Sequence, residues 1–186
     1  NYCRGPNYWN TNKRIYEAKK YINNYFFLLY SDNFSSIQIN KIINLHSKNK
    51  QTITLSLVKK KGGNINLDTS FKLLNYDKKR SLRKFNHVEI GYMAITKKKL
   101  FNYLNNSNTE FSNVFNNLIK KNDIGYYLQN DKYYSISDIK RLEITKKFLT
   151  PKKIILLDRD GILNKKMKKG TYVSSWNKFL LIEQNL

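Results

Sequence analysis

Ile154-Ile155-Leu156-Leu157-Asp158-Arg159-Asp160-Gly161 is the stretch from which the chain is best read outward. Its four aliphatic residues form the short, unbroken apolar run of a strand covered on both faces. In open α/β sheets, ligands bind beyond the carboxyl ends of the strands, and Asp158 stands immediately past this one. A carboxylate there can attack phosphorus and become an aspartyl-phosphate. Asp160, two residues on, can protonate the leaving oxygen and then activate water. The two carboxylates and the backbone carbonyl of Asp160 supply oxygen donors, which suit Mg²⁺ beside a phosphate. Gly161 lets the chain turn with no side chain blocking that phosphate. The simpler alternative is a polar turn after a core strand. The coincidence of the strand, both aspartates, Gly161 and Asn164 favours chemistry.

The run from Leu157 to Asn164 resembles the opening of the haloacid-dehalogenase-type phosphatases, in the branch of histidinol-phosphate and heptose-bisphosphate phosphatases. Members typically read LDRDGxxN, then Gly-Tyr-Val, then a Trp or Phe segment. Here Gly170-Thr171-Tyr172-Val173 is followed by Trp176 and Phe179, with Thr171 as an added residue. The resemblance implies an Mg²⁺-dependent phosphatase in which Asp158 and Asp160 are catalytic and hold the metal. It places Arg159, Gly161 and Asn164 at the substrate. The implied activity is that of a D-glycero-D-manno-heptose 1,7-bisphosphate 7-phosphatase. It covers about residues 151–186. The family's later Ser/Thr, Lys and acidic pair are expected downstream of Leu186, so this piece alone is expected to be inactive.

Upstream, apolar periodicity alternates between helix and strand. Lys13 to Asn23 reads as a helix, and Phe26-Phe27-Leu28-Leu29-Tyr30 as a buried strand ended by Ser31-Asp32-Asn33. Ser36 is placed to cap a helix carrying Ile39, Ile42, Ile43 and His46. Thr52 to Val58 and Val88 to Ile95 read as strands, and Phe71 to Tyr76 as a hairpin strand. Lys97 to Leu104 and Phe111 to Lys121 read as helices. Tyr126-Tyr127-Leu128 and Tyr133 to Ile136 bracket Asn130-Asp131 as a hairpin, whose tyrosines are expected to pack and not to stack on bases. A helix over Ile139 to Leu149 ends before Pro151, which sets a domain boundary near residue 150. His46 and His87 read as surface or partly buried residues.

These first 150 residues resemble the later two-thirds of a sugar-phosphate nucleotidyltransferase. Four places carry the resemblance: Asn10 to Lys13, Phe27 to Asn33, Val88 to Tyr92, and Tyr134 to Glu143. It implies that Asp32 holds Mg²⁺ and that Glu89 and Gly91 contact the sugar. There are departures. Asn10 and Lys13 replace flexible glycines, Ser31 a glycine, Ser135 the second metal aspartate and Ser137 the glycine after it, while Asp138 lies three positions off register. The Gly-rich nucleotide loop is expected upstream. The fold class is thus α/β: a Rossmann-like nucleotidyltransferase sheet, N-terminally truncated, over 1–150, then the first strand and loop of a haloacid-dehalogenase-like domain over 151–186.

Composition narrows the partners. The 186 residues carry a net charge of +22, with Lys and Arg spread along the chain among Asn, Ile, Tyr and Phe, as AT-rich coding would produce. That dispersal speaks against a nucleic-acid-binding arm, and a phosphorylated substrate would also be drawn to such a surface. No run of 18 apolar residues suggests a membrane span. Cys3 is the single cysteine, so neither a disulfide nor a zinc cluster is expected, and a cytoplasmic setting is simplest. The first residue is Asn1 and not Met, which suggests a start upstream. The expected function is a heptose-bisphosphate phosphatase fused to a nucleotidyltransferase-like domain, with a phosphorylated sugar and a nucleoside triphosphate as partners. Two alternatives stand beside it: a non-catalytic sugar-phosphate binding or assembly module in the first half, and a basic nucleic-acid-binding protein.

Overall fold

The computed structural model describes residues 4–81, 85–104, 110–151 and 160–185. The chain divides into two compact units, Asn1–Lys147 and Phe148–Leu186. The first is organised by β3 (Ile53–Lys59), in which Ile53 to Leu57 are all buried, the pattern of a strand covered on both faces. β6 (His87–Thr96) runs antiparallel along one edge of β3, and β7 (Ile124–Gln129) parallel along the other. The far edge of β6 takes β1 (Tyr25–Leu29) at its C-terminal half and β4 (Ile65–Leu67) at His87. β5 (Leu73–Tyr76) closes a hairpin on β4. β1, β3 and β7 therefore share one direction, and β6 runs against them. A separate two-stranded sheet joins β2 (Asn33–Ser35) to β8 (Tyr133–Ser135).

Helix α4 (Phe111–Lys120) shows how the faces are covered. Phe111, Val114, Phe115 and Leu118 recur at the spacing of one helical stripe, and all four are buried. Phe115 meets the rings of Tyr76 and Phe111 edge-on, each at 5.0 Å between centroids. These residues share one cluster with Ile53, Leu55, Leu57, Met93 and Ile95 of the sheet. Each fully buried aliphatic or aromatic side chain contributes about 1.5–3 kcal/mol relative to exposure. On α2 (Ile39–Asn49) the inward residues are Ile42 and His46. The His46 ring nitrogens bond Thr54 Oγ1 and Thr96 Oγ1, both at 2.9 Å, so one imidazole ties the helix to β3 and β6. Burial, then the Lys99 charge, pushes its pKa down.

Several sequence expectations need correction. The first helix, α1 (Thr11–Glu17), starts and ends earlier than Lys13 to Asn23. Asn10 Oδ1 accepts the Lys13 N–H at 2.9 Å and caps it, and Ala18–Tyr21 tightens into a 3-10 turn. Gln38, not Ser36, stands at the N-cap of α2, with no side-chain cap bond. The helix after β6, α3, covers Lys97–Leu100 alone. β1 is half-buried: Tyr25 and Leu29 are exposed, and no strand pairs with its outer edge among the described residues. Both histidines are buried, His87 because it lies between β3 and β4. The expected tyrosine hairpin does not form. β7 adds to β3 in parallel register, Ile53 opposite Ile124, while β8 crosses to β2. Local alternation marks both strands, but the apolar face of β7 gains more burial beside β3 than a free hairpin would provide. α5 (Ile139–Leu149) follows β8.

In the second unit, short bridges join Asp160 to Asn164 and Asn164 to Leu181. Lys165 N donates to Leu180 O at 2.8 Å and Ile182 N to Leu163 O at 2.9 Å. Trp176 and Phe179 pack edge-on at 5.6 Å. The strand expected at 154–157 and the residues Asp158 and Arg159 lie outside the described residues. No helix among the described residues is long and apolar enough to cross a membrane.

Candidate functional site

β6 does not pair evenly with β3. Met93 faces Leu55 and Glu89 faces Leu57, so Ile90, Gly91 and Tyr92 together oppose Ser56. Gly91 lies inside this bulge at φ +81°, a left-handed conformation that L side chains rarely adopt. The bulge binds the turn that follows β1. Tyr30 N donates to Gly91 O at 2.8 Å, Asn33 Nδ2 to Ile90 O at 3.1 Å, and Tyr92 OH to Asn33 O at 2.7 Å. Asp32 sits exposed on that turn, and its backbone carbonyl accepts from Ile136 N at 3.0 Å. The β2–β8 pairing then sets Ser135 opposite Asn33. Three segments far apart in sequence thereby converge on one cleft of about 350 Å³, lined by Asp32, Glu89, Arg80, Ser135 and Arg141 among others.

Glu89 is buried, and Gly91 N donates to its Oε1. Burial, with a smaller push from the Asp32 charge, outweighs the Gly91 N–H and the Arg80 charge and holds the carboxyl up at about 7. Near neutral pH it can therefore either donate to or accept from a ligand hydroxyl. Burial also raises the phenols of Tyr30 and Tyr76, and the Glu89 charge adds to that in both.

On the facing side, Arg141 Nη1 donates to Ser135 Oγ at 3.0 Å and to Ser137 Oγ at 3.2 Å. Its Nε lies 3.3 Å from Asp138 Oδ2. Asp138 Oδ1 in turn accepts the Arg141 backbone N–H at 2.8 Å, which makes Asp138 the cap of α5. The Thr145 hydroxyl lies 3.0 Å from Ser135 O and 2.9 Å from Arg141 O and fastens the strand end to the helix. Arg80 is held at φ +52° by a turn in which Asp77 accepts from Lys79 N at 3.0 Å and Ser81 N at 2.7 Å. Sequence reasoning passes over both Arg80 and Arg141. The Asp138-x-x-Arg141 spacing at a helix start marks Arg141, whereas nothing in the sequence marks Arg80.

Asp32, Glu89 and Gly91 thus come together. Asp160, Gly161 and Asn164 share a turn in the second unit. Gly161 has φ +94° and donates to Asn164 O at 2.7 Å. Asn164 is fully buried, and its Nδ2 donates to Lys165 O at 2.9 Å. Around Asp32 the donors do not fit a protein-held Mg²⁺. That ion takes oxygen ligands in octahedral geometry, yet Ser135 Oγ is bonded by a guanidinium, and Lys78, Arg80 and Arg141 line the same space. No group of three His, Cys, Asp or Glu side chains suited to a metal occurs among the described residues.

No protein-family model matches the chain. No curated protein sequence matches it either. Solved structures do. A glucose-1-phosphate thymidylyltransferase from Bacillus anthracis in complex with sucrose superposes with a TM-score of 0.72 at 14% identity, over 80% of this chain and 64% of that one. HddC from Yersinia pseudotuberculosis gives 0.58 at 18% identity, over 76% of this chain and 63% of its own. The same protein complexed with GMP-PN gives 0.58 at 18%, over 75% and 62%. The chain spans less than two thirds of the length of each of these structures. Over about four fifths of its own length, the chain has the mixed α/β fold of a sugar-phosphate nucleotidyltransferase.

Proposed function

We propose that the first unit binds a phosphorylated sugar in the Asp32–Glu89–Arg141 cleft, and that the second belongs to a sugar phosphatase acting through Asp158. Together they would serve the synthesis of a nucleotide-activated heptose. The observation that carries the first half is the cleft itself. A buried carboxyl near its neutral point adjoins guanidinium groups just past the carboxyl end of β1. Glu89 orients sugar hydroxyls, and the cationic wall takes the phosphate. Nucleotidyl transfer calls for charge-neutralising ligands around a pyrophosphate. Ser135, tied to Arg141, supplies no second carboxylate there, so the unit holds its ligand without transferring a nucleotide.

In the phosphatase half, Asp158 attacks phosphorus and Asp160 protonates the departing sugar oxygen. Asp160 then takes a proton from the water that hydrolyses the aspartyl-phosphate. The positive φ of Gly161 directly after Asp160, in a turn closed by Asn164, supports a loop shaped to admit a phosphate. The oxygen-only donors of Asp158 and Asp160 suit Mg²⁺, which would neutralise phosphate charge when bound.

Phosphate release from heptose 1,7-bisphosphate by the intact protein tests the reading. Asp158→Asn is expected to abolish it, and turnover retained in that variant would sink the phosphatase assignment. Pyrophosphate release from a nucleoside triphosphate and heptose 1-phosphate is expected to be absent. Its detection would make the first unit a transferase.

A further inference from the structure

We propose that the first unit's cleft grips the phosphoryl group of its ligand directly with the guanidinium groups of Arg80 and Arg141, with no divalent cation between them. This rests on the reading of that cleft as the phosphorylated-sugar site.

Arg141 is preorganised for the task. Its Nε and Nη1 are held by Asp138, Ser135 and Ser137, at 3.3, 3.0 and 3.2 Å. Those bonds fix the plane of the fork. The two Nη2 N–H donors have no partner among the described residues and can donate to a phosphate oxygen. The ion pair with Asp138 does not cancel the charge. Both side chains are substantially exposed, at 40% and 53%, where water screens such a pair.

Arg80 is freer still: its side chain makes no ion pair or hydrogen bond among the described residues. Its backbone nevertheless sits in the left-handed region at φ +52°, held there by the Asp77 carboxylate. A non-glycine residue held in that region is the kind of strain that gathers at ligand sites. Its charge reaches into the cleft, where it acts on Glu89 and Tyr76. Lys78, on the same wall, has its charge engaged by Glu110 at 2.6 Å.

Against these two guanidiniums the cleft sets one exposed carboxylate, Asp32. The oxygen across the strand pair from Asn33, Ser135 Oγ, already accepts from Arg141. A dication placed between Asp32 and Ser135 would stand beside a fixed positive charge. A phosphate dianion in the same place would be attracted by that charge and would meet free donors.

Calorimetric titration of the full chain with glucose 1-phosphate, in EDTA and again in Mg²⁺, decides it. Binding is expected to be equally tight in both. Arg141→Gln and Arg80→Gln should each weaken it about 10–100-fold, the range of a lost charge-assisted hydrogen bond. Arg141→Lys should fall between, and thermal melts of all variants should stay near the parent. Binding that appears only with Mg²⁺, folded Arg variants with parent affinity, or free glucose binding as tightly as its phosphate would each overturn the proposal. No heat in either buffer would remove the cleft reading itself, and this inference with it.

Discussion

Replacing Gly91 by Ala tests how the site is assembled. The residue has φ +81°, and a Cβ there would lie 2.7 Å from Tyr30 Cβ and 2.8 Å from Asn33 Nδ2. The left-handed backbone alone costs an L residue roughly 1–2 kcal/mol. Forcing an extra methyl into a packed position adds about 1–3 kcal/mol. Gly62 provides the control, since it has φ +68° and an added Cβ there would meet nothing within 4 Å. Gly62→Ala therefore isolates the backbone cost, and Gly91→Ala should be the more destabilising by the packing cost. At roughly 2–4 °C per kcal/mol for a chain of this size, the gap between the two melting temperatures is about 2–12 °C. Urea unfolding, with its slope unchanged, should give the same order. Tyr30 and Asn33 flank Asp32, so Gly91→Ala should also weaken glucose 1-phosphate binding, while Gly62→Ala should not. Equal destabilisation by the two variants would refute the claim that the bulge and the Asp32 turn are in tight contact.

Two further outcomes follow from the same geometry. Glu89 has a folded pKa raised from 4.5 to about 7, so its contribution to stability is fully present below the lower value and is lost as pH rises through the higher. Glu89→Gln keeps an oxygen for the Gly91 N–H and should stabilise by on the order of 2–3 kcal/mol near pH 8, with little effect near pH 4; a pH-independent difference in urea midpoint would contradict this. Thr145→Val removes the hydroxyl shared by Ser135 O and Arg141 O and should lower stability by about 1–2 kcal/mol. Calorimetric unfolding that shows no loss would mean that α5 and β8 are held together by other contacts.

The strand positions around the cleft were legible because burial writes itself into composition. Thr52 to Val58 and Val88 to Ile95 are apolar enough to be strands wherever they pair, and Phe111, Val114, Phe115 and Leu118 repeat at helical spacing. Asp32, Glu89 and Gly91 could be chosen because Phe27 to Asn33 and Val88 to Tyr92 resemble segments of the sugar-phosphate nucleotidyltransferases. Arg80 could not, because its position depends on a left-handed turn set by Asp77. The burial of His46 was equally invisible: an imidazole enters a core when two hydroxyls satisfy it, and Thr54 and Thr96 lie 8 and 50 residues away.

The amino-acid order by itself determined where most of the longer helices and strands of the first unit lie, since that follows from local periodicity. Tertiary structure alone decided what those segments meet. Sending β7 to β3 and β8 to β2, in place of a tyrosine hairpin, carries Ser135 opposite Asn33 and brings Arg141 to the cleft of Asp32. That choice turns on which pairing buries more apolar surface across the whole sheet, a comparison between distant segments that no local pattern contains.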